Sequence, residues 1–446
     1  MRRSKLFHYC GNLTRLGGQT KGGTVQPFRF VHTADLHLDS PFRGLAEVSP
    51  ELQATLRDAT FQAFERIVGL CLAREVDGLL IAGDVYDAAD RSLRALARLR
   101  YQFERLAESD VSVFLCHGNH DPLSGWGARF TWPDNVHVFG AGSVDSRPLL
   151  REGAEVARVY GVSYGTERVT DNLAPRFRKE ANAPFAIGLL HTNVGNDADH
   201  LNYAPCELSD LIGAGPATMD YWALGHIHAH RVLHEGTPTV IYPGNPQGRH
   251  PREIGPRGCY LVEVGDRGEV EYEFVPVDVV RWHEESVPIE GLQQIEELLA
   301  RFEARMEDLR REAADRGSIV RWRLEGRGPL HRELIRPGRT EDLLATLREQ
   351  AGAGPAFVWS ESIQDITGRD LDLDLLRQEE NLLGDFLRLA GQADEPRLEE
   401  IRAVLSPLFE DPRTRRYLKH PESEKLRQWL QAAEQLGVDR LLTGDE

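Results

Sequence analysis

Short apolar runs alternate with stretches of helical period through the first part of this chain. The runs 28–31, 78–81 and 111–116 each end in turn residues. Between two of them, apolar residues from Phe61 to Leu72 recur at i, i+3 and i+4, the spacing of an amphipathic helix. This order of strand, helix, strand, helix and strand predicts a parallel sheet with helices on its outer face.

Beyond Glu155 the apolar runs are shorter, and fewer helical stretches separate them. The predicted strands are 156–162, 185–190, 221–224, 239–242, 259–264 and 271–275. Such a series predicts a second sheet packed on the first, with helices outside both sheets. The fold class is therefore α/β, with a catalytic domain over residues 28–284. Residues 1–27 are expected to form a flexible N-terminal extension.

The pattern changes again near residue 285, where a helical stripe from Leu292 to Met306 begins a different region. A small α/β capping module is predicted over residues 285–366, with strands at 319–324 and 356–359 and a helix near 343–347. It carries no cluster of metal-ligand residues.

The region 367–446 is predicted to be helical and highly charged, with apolar stripes at 382–387 and 426–433. Two interpretations of these stripes stay open. They pack against each other, or they form a docking surface for the helices of a partner.

Composition limits the functional classes. A net charge of −17 repels a polyanionic substrate, but basic residues gather at 168–179 and 249–257, close to the expected site. The five cysteines lack the spacing of a thiolate zinc site, and we find neither a signal peptide nor a membrane span. These features predict a cytoplasmic protein that is not bound to a membrane.

Five polar clusters carry the chemistry, and each follows a predicted strand, where open α/β folds gather their ligands. Carboxylate oxygens mixed with imidazole nitrogens suit Mn²⁺, Fe²⁺ or Zn²⁺, and they are too many for a single ion. The sequence therefore predicts two metals. The clusters are Asp35-Leu36-His37, Gly83-Asp84-Val85-Tyr86-Asp87, Gly118-Asn119-His120-Asp121, His191-Thr192-Asn193 and Gly225-His226-Ile227-His228.

Asp84 is the predicted bridge between the two ions, because its two oxygens can hold them about 3.5–4 Å apart around a shared hydroxide nucleophile. The remaining predicted ligands divide between the two metals. Asp35, His37 and His228 would complete one shell, and Asn119, His191 and His226 the other.

His120 has a different predicted role, since its place beside Asn119 would let its imidazole protonate a leaving alkoxide. Asp121 is expected to hydrogen-bond that ring and keep it protonated. Asp39 and Asp87 are also close to predicted ligands. The Gly-rich loop 244–250 is expected to bind a phosphate backbone through Asn245, Arg249 and His250.

Taken together, the five clusters resemble the signature of the calcineurin-like metallophosphoesterase superfamily. Within it, the segments 35–39, 84–87, 118–121 and 220–228 resemble the DNA-repair exonuclease branch that includes SbcD. The loop 242–250 is most similar to bacterial proteins of the YhaO type.

This resemblance implies a four-layer αββα sandwich, two Mn²⁺ ions and hydrolysis of phosphodiester bonds in DNA, with a capping module that helps to select the substrate. The predicted function is thus that of a DNA exonuclease in repair. Members of the branch often work with a coiled-coil ATPase related to SbcC. The chain has no Gly-x-x-x-x-Gly-Lys-Ser/Thr loop, so such an ATPase would be another polypeptide, with the C-terminal helices as a candidate docking site. Whether two chains pair is left open.

Two other functions stay open at this point. The same site would serve a small phosphodiester such as a cyclic nucleotide, which the acidic net charge favours. Alternatively, the metals are structural and the chain is a scaffold that recruits an ATPase. Serine/threonine phosphatases of the superfamily usually have Glu after the Asn-His pair, whereas this chain has Asp121. Nuclease activity is therefore favoured over phosphoprotein hydrolysis.

Overall fold

A computed structural model describes residues 25–442 apart from 46–47, 49, 91, 126–129, 196–200, 214–217, 314, 353, 392 and 412–419. Most of the predicted N-terminal extension, residues 1–24, lies outside the described residues. The described chain forms two compact units. The first holds the residues up to His283 with those of Ala313–Ile319 and Gly354–Phe357, and the second holds those of Glu284–Glu312, Val320–Ala353 and Val358–Glu446.

Two sheets form the centre of the first unit. The strands in chain order are β1 (Phe28–Thr33), β2 (Gly78–Ala82), β3 (Ser112–Cys116), β4 (Val136–Val138), β5 (Asp145–Arg151), β6 (Ala154–Gly161), β7 (Ala186–His191), β8 (Tyr221–Gly225), β9 (Arg231–His234), β10 (Thr239–Tyr242), β11 (Gly258–Val264) and β12 (Val270–Pro276). The α-helices are α1 (Pro50–Ala73), α2 (Leu93–Ala107) and the single-turn α3 (Leu208–Leu211).

The first sheet has the order β12-β11-β1-β2-β3-β4, and β1 to β4 are parallel. Its strands read as apolar runs because both of their faces are covered. In β2, Leu79 and Ile81 point toward the helices α1 and α2, while Leu80 points the other way, into a core shared with the second sheet. Alternate residues of one strand therefore belong to two different cores.

The second sheet has the order β5-β6-β7-β8-β10-β9, in which β6, β7, β8 and β10 are parallel. Ile187 and Ala223 face the first sheet, while Leu190 and Trp222 face an outer layer that includes Phe177 and α3. Helix, sheet, sheet and a thin helical layer make four layers. The predicted α/β class and sandwich architecture are thus confirmed.

A third sheet has the order β13-β14-β15, with β13 (Val280–Pro288), β14 (Gly317–Glu325) and β15 (Val358–Asp365). In the second unit, Phe302 and Met306 of a long amphipathic helix pack with Trp322 and Leu347 into one core. The helices are α4 (Ile295–Ala313), α5 (His331–Leu334), α6 (Arg339–Glu349), α7 (Leu373–Leu376), α8 (Leu382–Ala390), α9 (Glu395–Glu410) and α10 (Ser423–Leu442). Among the described residues, none of the helices has both the length and the apolar character that crossing a bilayer requires.

Candidate metal centre

The predicted polar clusters meet at one edge of the two sheets. Parallel strands bring their carboxyl ends to the same edge, and the clusters follow the carboxyl ends of β1, β2, β3, β7 and β8. In the described structure, Asp35, His37, Asp84, Asn119, Asp121, His191 and His226 are all buried there.

The backbone at this edge has a conformation that L-residues rarely adopt. Asp35, His37 and Asp84 have φ values of 51°, 43° and 52°, and His226 has a φ of 102°. Each such residue costs on the order of 1–3 kcal/mol unless the surroundings impose it. The side chains just past the strand ends are therefore held by the fold in unfavourable backbone geometry, as is common at functional sites.

Two glycines are required because the site is crowded. A Cβ at Gly118 would lie 2.3 Å from Asp84 Oδ1, and one at Gly225 would lie 1.8 Å from the Ala82 carbonyl oxygen. Both distances are far inside van der Waals contact. Glycine at these two positions lets neighbouring strand ends approach closely enough to bring the polar side chains together.

Three groups of side chains in the described residues have donor atoms within 4.8 Å of one another. They share members, so the site is one continuous cluster around Asp84. His191 Nε2 lies 3.4 Å from Asp84 Oδ2, and His37 Nε2 lies 3.9 Å from the same oxygen. The groups are Asp35 with His37 and His228, Asp35 with Asp84 and His191, and His37 with Asp84 and His120.

The donor set fits divalent metal ions. Burial raises the pKa of Asp35 to about 7, which shows the cost of a second carboxylate beside Asp84 without a cation. Burial acts in the same direction on Asp84, but the neighbouring His191, His120 and His37 hold the pKa of that carboxyl well below its usual value. Burial and the charge of Arg249 lower the pKa of His37 to about 4, so its imidazole is neutral, as a ligand must be.

Asn119 and His226 lie beside these groups rather than within them. Asn119 Oδ1 is 3.0 Å from His191 Nε2. His226 donates its backbone N–H to both oxygens of Asp35, at 3.1 Å each, while its Nε2 lies 2.7 Å from the carbonyl oxygen of Leu201. Direct metal ligation by these two side chains stays a prediction.

The expected contact between Asp121 and His120 is wrong. Asp121 is fully buried and accepts hydrogen bonds from the backbone N–H groups of Gly118, at 2.7 Å, and Val85, at 2.9 Å. The turn after β3 directs this carboxylate inward, where it ties two strand ends together. Its role is to shape the backbone of the site.

Asp87 takes the place that Asp121 was expected to fill. Its Oδ1 lies 2.6 Å from His120 Nδ1 and 3.1 Å from His37 Nδ1, so one carboxylate contacts both rings. Burial would lower the pKa of His120, but the hydrogen bond with Asp87 and the charge of Asp84 raise it to about 9. His120 is thus protonated at neutral pH. Asp39, in contrast, accepts hydrogen bonds from Ser92 and Arg94.

Next to the cluster, the loop 244–250 forms one wall of a cavity of about 200 Å³. Arg249 is largely buried, and its Nε has no hydrogen-bond partner in the described structure. A cation held in this way suits an anionic ligand. The cavity is lined by His37, Pro41, Arg43, Asp87, His120, His228, Arg249, His250 and Glu253.

Asn245 does not face this cavity, so its predicted contact with substrate is wrong. It is completely buried, with Oδ1 accepting from Arg257 Nη1 at 3.1 Å and Nδ2 donating to the Gln247 carbonyl oxygen at 3.1 Å. These bonds satisfy the amide internally. Asn245 therefore fixes the shape of the loop that presents Arg249.

Comparisons with known proteins agree with this geometry. Residues 28–230 match the family model described as calcineurin-like phosphoesterase, and residues 282–368 match the one described as metallophosphoesterase YhaO, middle domain. The chain is 37% identical over 344 residues to the uncharacterized metallophosphoesterase YhaO of Bacillus subtilis, covering 77% of this chain and 83% of that protein. The chain belongs to the YhaO family of calcineurin-like metallophosphoesterases.

The metallophosphoesterase is also similar, at lower identity, to a protein named for DNA repair and to one named as a nuclease. It is 27% identical over 306 residues to the DNA double-strand break repair protein Mre11 of Methanopyrus kandleri, covering 61% of this chain and 62% of that protein. It is 26% identical over 322 residues to the SbcD component of the nuclease SbcCD of Rhodobacter capsulatus, covering 61% and 74% of the two chains. The predicted family and branch are thus confirmed.

One residue of the metallophosphoesterase site was missed from the sequence. Glu253 Oε1 lies 2.5 Å from His228 Nδ1, and its other oxygen accepts from the backbone N–H of Arg249 at 2.6 Å. A lone carboxylate in a Gly-rich and Pro-rich loop soon after the last cluster was the available signal. Sequence spacing alone could not show that the loop folds back onto His228.

The first group of basic residues, 168–179, does not form a substrate surface at the metal centre. Lys179 Nζ pairs with Asp220 at 2.5 Å, and Asp220 precedes β8, at the end of that strand opposite to His226. Arg176 pairs with Asp171 on the exposed surface. The basic residues that face the cavity come instead from Arg43 and from the loop 249–250.

Proposed function

We propose that this metallophosphoesterase is a Mn²⁺-dependent phosphodiesterase that acts on DNA, as an exonuclease in DNA repair. One observation carries the proposal. A cavity beside the metal-ligand cluster holds a protonated imidazole, His120, and a largely buried guanidinium without a partner for its Nε, Arg249. An acid and a cation next to a metal cradle are what cleavage of a phosphodiester requires.

Asp35, His37, Asp84, His191 and His228 are the side chains that would hold two divalent ions, with Asn119 and His226 beside them. Such ions supply Lewis acidity toward the phosphoryl group. The neighbouring side chains of the cavity have other roles. Asp87 orients His120 through Nδ1, which leaves the Nε2–H of this ring to protonate the leaving oxygen of the substrate.

Recognition of the phosphate backbone is assigned to Arg249, Arg43 and His250. Arg249 Nη1 lies 3.9 Å from Asp87 Oδ2, so the guanidinium is close to the carboxylate that orients His120. This arrangement places a cation beside the acid, where it would bind a nonbridging oxygen of the substrate. Local positive charge in the cavity offsets the net charge of −17.

The names of the lower-identity relatives, a DNA double-strand break repair protein and a nuclease, support DNA as the substrate. They also support an assembly, because the second relative is by name one component of the nuclease SbcCD. We extend both features to this chain: it acts in the cytoplasm with a coiled-coil ATPase supplied by another polypeptide, and the helices after residue 367 are the docking region. A homodimer is compatible with this arrangement.

An assay on three substrates with purified protein and Mn²⁺ tests the function. The substrates are end-labelled double-stranded DNA, a cyclic nucleotide and bis-p-nitrophenyl phosphate, with metal-free protein as the control. Shortening of DNA from its labelled end supports the proposal. Hydrolysis of the cyclic nucleotide without any cleavage of DNA would replace it with a small-molecule phosphodiesterase. Inactivity on all three, with metals bound, would indicate a scaffold.

A further inference from the structure

Glu253 makes two different sets of contacts with its two carboxylate oxygens. Oε1 accepts a hydrogen bond from His228 Nδ1 at 2.5 Å. Oε2 accepts from the backbone N–H groups of Arg249, at 2.6 Å, and His250, at 3.1 Å. The side chain is only 13% exposed, so these three bonds are largely shielded from water.

The bond to His228 selects one tautomer of that ring. A carboxylate can only accept, so the proton of the neutral imidazole lies on Nδ1 and the lone pair lies on Nε2. Nε2 is the atom that faces the cluster, 3.4 Å from Nε2 of His37. His228 belongs to the group with Asp35 and His37, so the selected tautomer is the one that can bind a metal.

The second oxygen acts on the wall of the cavity. By accepting from two consecutive amides, it fixes the backbone at Arg249 and His250, and both of these residues line the cavity. The Arg249 carbonyl also accepts a hydrogen bond from the backbone N–H of Arg43 at 2.8 Å. One carboxylate thus joins a predicted metal ligand to the loop that carries the cations of the cavity.

We propose that Glu253 is a positioning residue that couples metal binding to substrate binding, through His228 on one oxygen and through the Arg249–His250 backbone on the other. This inference rests on the proposed metal-dependent function of the same site. It goes beyond that function by naming the residue that links its two parts.

The substitution Glu253→Gln separates the two roles. The glutamine oxygen can still accept from the amides of Arg249 and His250, but its NH₂ then faces His228 Nδ1. That donor requires an acceptor, so the imidazole proton moves to Nε2 and blocks the metal-binding atom. We expect the affinity for Mn²⁺ to fall by about 10- to 100-fold, the usual effect of losing such a partner. At saturating Mn²⁺, KM for bis-p-nitrophenyl phosphate should stay near the wild-type value.

The substitution Glu253→Ala removes both roles. Here we expect the same loss of Mn²⁺ affinity together with a rise in KM, because the Arg249 backbone is no longer held. The matched control is Glu269→Gln, since Glu269 also accepts a backbone N–H, from Arg267 at 2.9 Å, but lies outside the cavity lining. It should behave as the wild type in both measurements.

Isothermal titration of metal-free full-length protein with Mn²⁺ gives the deciding measurement. It needs no hydrolysis, so it tests Glu253 even if the proposed activity fails on every substrate. Wild-type Mn²⁺ affinity in Glu253→Gln would overturn the inference, and so would an equal loss in Glu269→Gln. If Glu253→Ala does not fold, the Glu253→Gln titration still decides, provided that its far-ultraviolet circular dichroism matches the wild type.

Discussion

Both compact units bury polar side chains, but they satisfy them in different ways. In the second unit the buried groups form neutral pairs: His331 Nδ1 lies 2.9 Å from Thr367 Oγ1, and Trp322 Nε1 donates to Ser360 Oγ at 2.9 Å. In the first unit, Asp35 and Asp84 are buried side by side among histidines. One set is satisfied internally, and the other lacks its counter-charge.

The backbone shows the same difference. In the described part of the second unit, the residues with positive φ are glycines, namely Gly291, Gly326, Gly338 and Gly352. At the metal centre, the residues with positive φ include two aspartates that carry the proposed chemistry, Asp35 and Asp84. Strain and uncompensated charge therefore coincide in the first unit. Burial alone does not mark a functional residue, whereas burial of charge on a strained backbone does.

The largest effect is expected from Asp84→Asn. The amide keeps the size of the side chain but loses the charge that the shared position needs, so Mn²⁺ binding and hydrolysis should both fall below detection. Titration with Mn²⁺ and turnover of bis-p-nitrophenyl phosphate measure the two losses. Asp77→Asn, at the amino end of the same strand β2, is the control and should keep both. Turnover by Asp84→Asn would contradict the account.

His120→Asn should bind Mn²⁺ as the wild type does but lose about 10²- to 10⁴-fold in the rate of DNA cleavage, the usual value of a general acid. The loss should be much smaller for bis-p-nitrophenyl phosphate, because p-nitrophenolate leaves without protonation. Rates on the two substrates give the comparison. An equal loss on both would show that His120 is not the acid. His137→Asn, outside the cavity lining, is the control.

Arg249→Met tests the cation in the cavity. Losing a charge-assisted hydrogen bond of about 1.5–3 kcal/mol should raise KM for DNA by about 10- to 100-fold, with Mn²⁺ affinity retained. Arg252→Met removes an exposed charge from the same loop and should change KM little. Initial rates over a range of DNA concentrations measure this effect. A rise of equal size in both variants would indicate a general electrostatic effect instead.

The smallest effect on activity is expected in the second unit. Thr367→Val keeps the shape of the side chain but leaves His331 Nδ1 without its partner, which should lower the free energy of unfolding by about 1–3 kcal/mol. Urea titration measures the loss. Mn²⁺-dependent hydrolysis in the folded variant should be unchanged, and a parallel loss of activity would contradict the distinction between the two units.

The central strands could be predicted from the sequence because both of their faces are buried. β2, β7 and β8 are apolar throughout, so each run has a clear start and end. β5 and β9 were missed, since Asp145–Arg151 and Arg231–His234 are largely polar and lie at the edges of their sheet. An edge strand with one exposed face carries little hydrophobic signal.

For the site, spacing after each strand predicted the residues that meet around Asp84, because parallel strands share one edge. It could not predict the direction of a side chain within a turn. Asp121 and Asp87 each follow a cluster by a few residues, yet one points into the core and the other onto His120. Asn245 and Glu253 lie in an irregular loop, where only the folded backbone decides which of them reaches the ligands.

Anomalous diffraction from a crystal of the protein grown with Mn²⁺ would test the central claim most directly. The account predicts two peaks on either side of the Asp84 carboxylate, one next to Asp35, His37 and His228 and the other next to His191. A single peak, or peaks away from Asp84, would contradict the dimetal centre.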